Sequence, residues 1–276
     1  MKYNIVNSGS DGNAVIVNDV ILVDCGVPFK KLQQYWMNIE LVLLTHFHSD
    51  HFNPATIKKL SELRPGLRFG CCEWLLNDLL ALGIPENRID VYILNVEYNY
   101  KKFKINAFEL FHDVPQCGYR IFVNDKSLIY ATDTKSLNHI EAKNYDVYLI
   151  EANYESDEML HSYAISSEYE NRVRNTHMSK EDTIKWLLDN MNETSVYEFM
   201  HRHKEKPLAR RFEILRPLLE KASDITLTSF KLDDDGIYAC IEELIDAYYQ
   251  KIEELKDFKQ NVNDNYKQIS EYEEYE

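Results

Sequence analysis

The stretch Leu41–Phe52, reading LVLLTHFHSDHF, constrains this chain more than any other. Leu41 to Leu44 form an apolar run that reads as a buried strand. Thr45 follows, and His46, His48, Asp50 and His51 then fall within six positions. Three imidazoles and a carboxylate so closely spaced at a strand end are costly to bury unless something binds them. Neutral imidazole nitrogen and carboxylate oxygen are the donors that first-row divalent metals take. The fold must therefore run a buried strand into a metal-binding loop and bring further ligands to it.

The rest of the chain supplies strands in clusters with helices between them. Lys2–Asn7 reads as a strand, Ser8–Asn13 as a turn, and Ala14–Val17 with Val20–Asp24 as a hairpin across Asn18-Asp19. Asp24, beside Cys25 and Gly26, is placed to hold a ligand loop from behind. A helix is expected over Lys30–Met37, and Pro54 opens another that reaches about Leu63. Leu67–Cys71 reads as a strand and Glu73–Leu82 as a helix stopped by Gly83. Val91–Leu94, Tyr100–Ile105 and Ala107–Phe111 read as strands, the last ending at His112. Tyr119–Val123 and Leu128–Ala131 make a hairpin that delivers Asp133. Val147–Ile150 is a buried strand ending in Glu151-Ala152-Asn153. Residues 154–178 read as irregular and polar, with Arg172 and Arg174 leading to His177. Ser179-x-x-Asp182 caps a helix running to about Met191. Val196–Met200 is a strand ending at His201, Pro207 opens a helix to about Lys221, and Ile225–Phe230 is a last strand.

From Gly236 the spacing of Ile237, Ile241, Leu244, Ile245, Tyr248 and Ile252 predicts one long amphipathic helix, followed by an acidic tail. This divides the chain into a domain over 1–232 and a helix and tail over 233–276. The helix could pack on its own domain or serve as a homodimer contact. Tight hairpins imply antiparallel or mixed sheets, and two such sheets covered by helices give an α+β, four-layer αββα sandwich.

Composition narrows the function classes. The net charge is −15, and residues 233–276 carry fourteen acids and four lysines, or −10 of it. An acidic chain attracts polyanions poorly at long range, although a local basic rim can still hold phosphate. The five scattered cysteines lack C-x-x-C spacing, which predicts a reducing, cytoplasmic setting and buried thiols. No apolar run reaches the roughly 18 residues of a membrane-spanning helix, and the N-terminus reads as a strand rather than a signal peptide.

The histidines and aspartates at strand ends form one constellation: His46, His48, Asp50, His51, His112, Asp133 and His201. Seven ligands are too many for one zinc and suit two metals. His46, His48 and His112 would hold one; Asp50, His51 and His201 the other; Asp133 would bridge them. Paired metals activate water and clamp an in-line displacement. That is chemistry for phosphoesters, and it also serves amides and thioesters. Arg202, Lys204, Lys206, Arg210 and Arg211 follow His201, near the helix start at Pro207, and Arg172 with Arg174 precede His177. Cations beside a helix start make an anion site, so Arg172, Arg174, Arg202 and Lys204 are candidate substrate-binding residues.

His46-x-His48-x-Asp50-His51 is similar to the signature of the metallo-β-lactamase superfamily. The turn SGSDGN, Asp24-Cys25-Gly26, His112, Asp133 and His201 follow in that family's order, over about residues 3–230. The resemblance implies an αββα metallo-β-lactamase sandwich with two divalent metals at its edge, usually zinc, with manganese or iron in some members. Asp133 stands where the lactamases usually carry cysteine, which resembles the hydrolase and phosphodiesterase branches. His177-Met178-Ser179 resembles a motif of the tRNase Z-like phosphodiesterases, and the resemblance implies that His177 protonates the leaving group while Asp50 serves at the metal. HDVPQCGYRI, ATDT and LIEANY resemble a bacterial DNA 5′-exonuclease-like branch. The short-type tRNase Z arm would lie between His112 and Asp133, which are only 21 residues apart here (133 − 112). A tRNA-maturation role is therefore not expected. Two functions follow: a nuclease-type phosphodiesterase, or a small cyclic-nucleotide phosphodiesterase such as those with which phages degrade defence signals. A scaffold without activity is disfavoured by the complete ligand set.

Overall fold

The computed structural model describes residues 1–157, 160 and 167–202. The expected elements beyond Arg202, including the long helix after Gly236, lie outside the described residues. Among the described residues twelve strands form two six-stranded mixed sheets. The first holds β1 (Tyr3–Asn7), β2 (Ala14–Val17), β3 (Ile21–Val23), β4 (Leu41–Leu43), β5 (Arg68–Cys72) and β6 (Ile89–Tyr92), in chain order. The second holds β7 (Glu97–Asn99), β8 (Lys104–Leu110), β9 (Gln116–Val123), β10 (Lys126–Ala131), β11 (Val147–Glu151) and β12 (Val196–Met200), also in order. In the first sheet β1 to β3 pair antiparallel and β3 to β6 parallel. In the second, β7 to β10 pair antiparallel and β10 to β12 parallel.

Period-two alternation sets the layers. On β2, Val15 and Val17 face the second sheet, while Ala14 and Ile16 face outward. On β4, Leu41 and Leu43 face inward and Val42 outward. The central core joins these to Tyr119, Ile121, Leu128, Tyr130 and Leu149. Outward residues of the first sheet are covered by α1 (Pro54–Leu63) through Ile57 and Leu60, and by α2 (Leu76–Ala81) through Leu79. Among the described residues two helices follow β11: α3 (Ser167–Thr176) and α4 (Lys180–Asn190). Trp186 and Leu187 of α4 cover Ile129, Tyr148 and Ile150 on the second sheet. The result is helices, sheet, sheet, helices.

Local chemistry explains the boundaries. Asn53 caps α1 by accepting from Thr56 N–H, with Pro54 at the first helical position. Ser179 caps α4 by accepting from Asp182 N–H. Asn18 and Asp19 take φ of 47° and 63°, the left-handed pair a tight hairpin turn requires. Four expectations change. Lys30–Met37 is not a regular helix: a 3₁₀ turn forms over Phe29–Leu32 and turns follow it, with Leu32 buried and Tyr35 and Trp36 packed against the same core. Glu73–Leu82 divides into a 3₁₀ turn, Glu73–Leu75, and the short α2. The strands expected over Tyr100–Ile105 and Ala107–Phe111 are one strand that starts later: residues 100–103 turn between β7 and β8, and β8 runs through Asn106, whose side chain accepts from Arg120 of the paired strand at 2.8 Å. Residues 167–176 form α3 rather than irregular chain. Its apolar signal is confined to Tyr169, Val173 and Thr176, spaced i, i+4, i+7, with a Glu170–Arg174 pair at i, i+4 on its polar side.

Gly26 is where the Asp24-Cys25-Gly26 turn meets the ligand loop. A Cβ there would overlap the backbone of Asp50 and His51, which side-chain adjustment cannot relieve. Gly26→Ala is therefore expected to displace Asp50 and His51 and release bound metal, measured as metal per chain after gel filtration. The four described cysteines are buried and free. Among the described residues no helix is long and apolar enough to cross a membrane.

Candidate metal centre

Every candidate ligand follows the C-terminal end of a strand. His46, His48, Asp50 and His51 follow β4, His112 follows β8, Asp133 follows β10 and His201 follows β12. Asp24 follows β3 in the same manner. Asp24, Asp133 and His201 take left-handed φ of 56°, 55° and 48°. Such conformations cost about 1–3 kcal/mol each and persist where the surroundings over-determine them. Here they turn three side chains toward one point. The Ser8–Asn13 turn clamps the cluster: Asn13 N–H donates to Asp50 C=O at 2.6 Å, and His201 N–H donates to Ser8 Oγ at 2.7 Å.

The donor atoms fall into the sets expected from the sequence. Those of His46, His48 and His112 lie within 4.8 Å of one another, as do those of Asp50, His51 and His201. Asp133 groups with His46 and His51 and also with His201. Its Oδ2 lies 2.9 Å from His51 Nε2 and its Oδ1 3.4 Å from His201 Nε2.

Hydrogen bonds behind the rings fix which nitrogen faces inward. Thr45 Oγ1 donates to Asp24 Oδ1 at 2.9 Å, so it accepts from His46 Nδ1–H at 3.0 Å. His51 Nδ1–H donates to Asp24 Oδ2 at 2.7 Å, where the Tyr130 hydroxyl also donates at 2.9 Å. His112 Nδ1–H donates to the Thr176 carbonyl at 3.0 Å. In His46 and His112 this leaves Nε2 for the centre, the arrangement in which outer partners orient metal-binding histidines, while the Nε2 of His51 also has the Asn13 side-chain amide at 2.8 Å. His46 Nε2 is fully buried and has no hydrogen-bond partner, and the buried Asp133 Oδ2 meets the Nε2 of His51 at 2.9 Å. A bare imidazole lone pair and a carboxylate oxygen, both buried and aimed at one point, fit divalent cations. The residues present thus fit two metal ions.

The two halves differ in charge. Burial, with the neighbouring His51, holds His46 well below the ordinary histidine pKa, and burial also lowers His112. Burial pulls against protonation of His51 too, yet Asp133 and Asp24 raise it well above the ordinary value. His201, also opposed by burial, is raised by Asp133, Asp50 and Glu151 to about 10. Burial would raise Asp133, but His201 and His51 hold it far below the ordinary carboxylate range. His46 and His112 are thus held toward the neutral form that binds metal. The Asp50/His51/His201 half holds protons that a metal must displace. Metal affinity at that half is therefore expected to fall about tenfold per pH unit per displaced proton on acidification. Equilibrium dialysis between pH 8 and pH 6 should show one metal leaving before the other.

A cleft of about 250 Å³ opens onto the cluster, lined by His48, Asp50, His112, Asp133, His177 and His201 on one side and by Arg172, Arg202 and Tyr169 among others on the rest. Arg172, 3.5 Å from Asp113, and Arg202, 3.9 Å from Glu155, both line this cleft. Arg174 does not: its guanidinium pairs with Asp157 at 2.8 Å and Glu170 at 2.9 Å, away from the cleft lining. It faces these acids because α3 is a helix, on which Arg172 and Arg174 point in different directions. Lys204 lies outside the described residues. His177 faces the cleft, its Nδ1 2.6 Å from Glu151 Oε1 and its ring stacked on His201 at 5.3 Å. Glu151 is completely buried, and its other oxygen accepts from Thr134 N–H at 2.7 Å.

Glu151, Asn153 and Thr176 belong to the site and were not chosen from the sequence. Glu151 and Asn153 end the buried strand β11 just as the histidines and aspartates end theirs, and that shared position was the available signal. Thr176 contributes only a backbone carbonyl, which leaves no mark on side-chain identity.

A family model described as a beta-lactamase superfamily domain matches residues 20–201. Solved structures with a similar fold include the metallo-beta-lactamase fold protein YhfI from Bacillus subtilis, at 17% identity and TM-score 0.57, covering 78% of this chain and 91% of that one. Human tRNase Z, short form, is similar at 14% identity and TM-score 0.55, covering 74% and 93%. Zn(2+)-bound PqqB from Methylobacterium extorquens is similar at 14% identity and TM-score 0.55, covering 80% and 95%. No curated protein sequence matches the chain.

Proposed function

The chain belongs to the beta-lactamase superfamily, a metal-dependent hydrolase by its His/Asp centre, and we propose that it cleaves phosphodiester bonds with two divalent metals, zinc or manganese. His46, His48 and His112 would hold one metal, Asp50, His51 and His201 the other, and Asp133 would reach both. Bound there, the metals supply Lewis acidity to a phosphoryl oxygen and an activated water. Asp24 orients His51 directly and His46 through Thr45. Arg172 and Arg202 line the cleft with positive charge for an anionic substrate.

The observation that carries this reading is the Glu151–His177 pair. Burial disfavours a charged His177, yet Glu151 raises its pKa above the ordinary value. Glu151 thus favours the protonated ring, with Nδ1 toward Glu151 and Nε2 left for the cleft. An alkoxide leaving group needs such a proton. The cleft volume of about 250 Å³ also favours a second reading, in which the substrate is a small cyclic nucleotide. A panel of single- and double-stranded DNA and RNA, cyclic mono- and dinucleotides, a chromogenic β-lactam and a thioester tests the proposal. Turnover is expected on phosphodiesters alone; turnover of the lactam or thioester with none on any phosphodiester would overturn it.

A further inference from the structure

The cations of the cleft already have acids beside them. Among the described residues Arg172 and Arg202 are the only lysine or arginine side chains in its lining. Arg172 lies 3.5 Å from Asp113. Arg202 lies 3.9 Å from Glu155, which also holds Lys180 at 2.8 Å. His177 has Glu151 at 2.6 Å. Both arginines are exposed, so their pairs contribute little to stability. Their effect on a ligand is larger: the charge that each arginine offers an incoming anion is partly cancelled before the anion arrives.

Asp113 does more than pair with Arg172. Its Oδ1 lies 3.1 Å from His112 Nε2 and 3.4 Å from His48 Nε2, while its Oδ2 faces Arg172. One carboxylate thus touches three residues of the cleft lining. The side chain is 34% exposed, so its charge is felt by whatever enters beside the three-histidine half. Asp113 is in none of the donor sets that could hold a metal, so a metal does not consume that charge. Phosphate esters differ in how they meet such a group. A phosphodiester carries a single negative charge at neutral pH, whereas a phosphomonoester, with a second ionisation near pH 6, carries about −1.5 to −2. Repulsion scales with charge, so a carboxylate fixed beside the site opposes the monoester more. Like charge set against the wrong ligand is a general device of discrimination. We propose that Asp113 is a specificity-determining residue that selects monoanionic phosphodiesters against dianionic phosphomonoesters. The substrate phosphate then lies within a chain or a ring and is not a terminal phosphate. This rests on the phosphodiesterase reading for the bond cut, and on the contacts of Asp113 for the selection.

The test uses the full chain at about pH 8, where the monoester is a dianion, with metal in excess and counted per chain. Two comparisons are made. One is kcat/KM on bis-p-nitrophenyl phosphate against that on p-nitrophenyl phosphate. The other is the calorimetric Kd of dimethyl phosphate against that of methyl phosphate, which needs no turnover. The D113N variant keeps the size of the side chain and removes its charge. It should shift both ratios about tenfold toward the monoester, and D113E should keep the native ratios. R172Q leaves the Asp113 charge without its partner and should shift both ratios the other way. Arg172 is no metal donor, so R172Q decides the matter if D113N sheds metal. Unchanged ratios in the variants that hold two metals would overturn the selection, while continued diester cleavage left the phosphodiesterase reading intact. A gain in methyl phosphate binding by D113N, with no phosphodiester hydrolysed by the native chain, would keep the selection and sink that reading instead.

Discussion

Asp133→Ala is expected to lower hydrolysis of bis-p-nitrophenyl phosphate by on the order of 10³-fold and to release bound metal. The size follows from position. Asp133 is buried, with one carboxylate oxygen 2.9 Å from His51 and the other 3.4 Å from His201. It also groups with His46, so it touches both halves of the cluster. Removing it leaves the imidazoles of His51 and His201 without the buried carboxylate that compensates them. Asp133→Asn keeps the shape and removes the charge. It should retain the fold, seen as an unchanged circular dichroism spectrum, yet lose metal and activity nearly as far. Full activity with two metals retained in either variant would show that Asp133 does not join the halves.

His177→Ala should lower kcat on a nucleotide phosphodiester by about 10²- to 10⁴-fold while both metals stay bound. The loss should be much smaller on bis-p-nitrophenyl phosphate, whose leaving group departs without a proton. That split separates a proton donor from a residue that merely packs. The pH dependence has a defined sign. Glu151 raises the pKa of His177, so activity that needs the protonated ring persists below that raised value and is lost as pH climbs through it. Glu151→Gln removes the charge, lowers the His177 pKa and should move the alkaline limb of the kcat profile to lower pH. An equal loss on both substrates, or metal released from His177→Ala, would reassign His177 as a ligand or a packing residue.

The candidate ligand set was legible because each member follows a strand, and all of these except the largely exposed β12 before His201 carry an apolar run that marks them as buried. A short polar cluster after LVLL, FEL or LIYA carries the strand's placement with it. The same rule would have reached Glu151, had carboxylates of glutamate been collected with those of aspartate. Tautomer control was only half visible. Asp24 stood out beside Gly26, but the Thr45 relay and the Thr176 carbonyl depend on neighbours distant in sequence. The wall of the cleft was the largest omission. α3 carries few apolar residues, and its helix is supported by Val173 and Thr176 packing beneath it and by the Glu170–Arg174 pair. A polar stretch without periodicity across its whole length reads as loop. That error also misjudged Arg174, since two arginines two positions apart diverge on a helix.

The central claim is that His46, His48, Asp50, His51, His112, Asp133 and His201 hold two metals that together cleave phosphodiesters. Stepwise reconstitution of the chelated protein tests it most directly, with zinc or manganese added in substoichiometric steps and phosphodiester hydrolysis followed at each. The account predicts little activity up to one equivalent, a steep rise to two, and a plateau there. Full activity at one equivalent, or none at two with either metal, would contradict it.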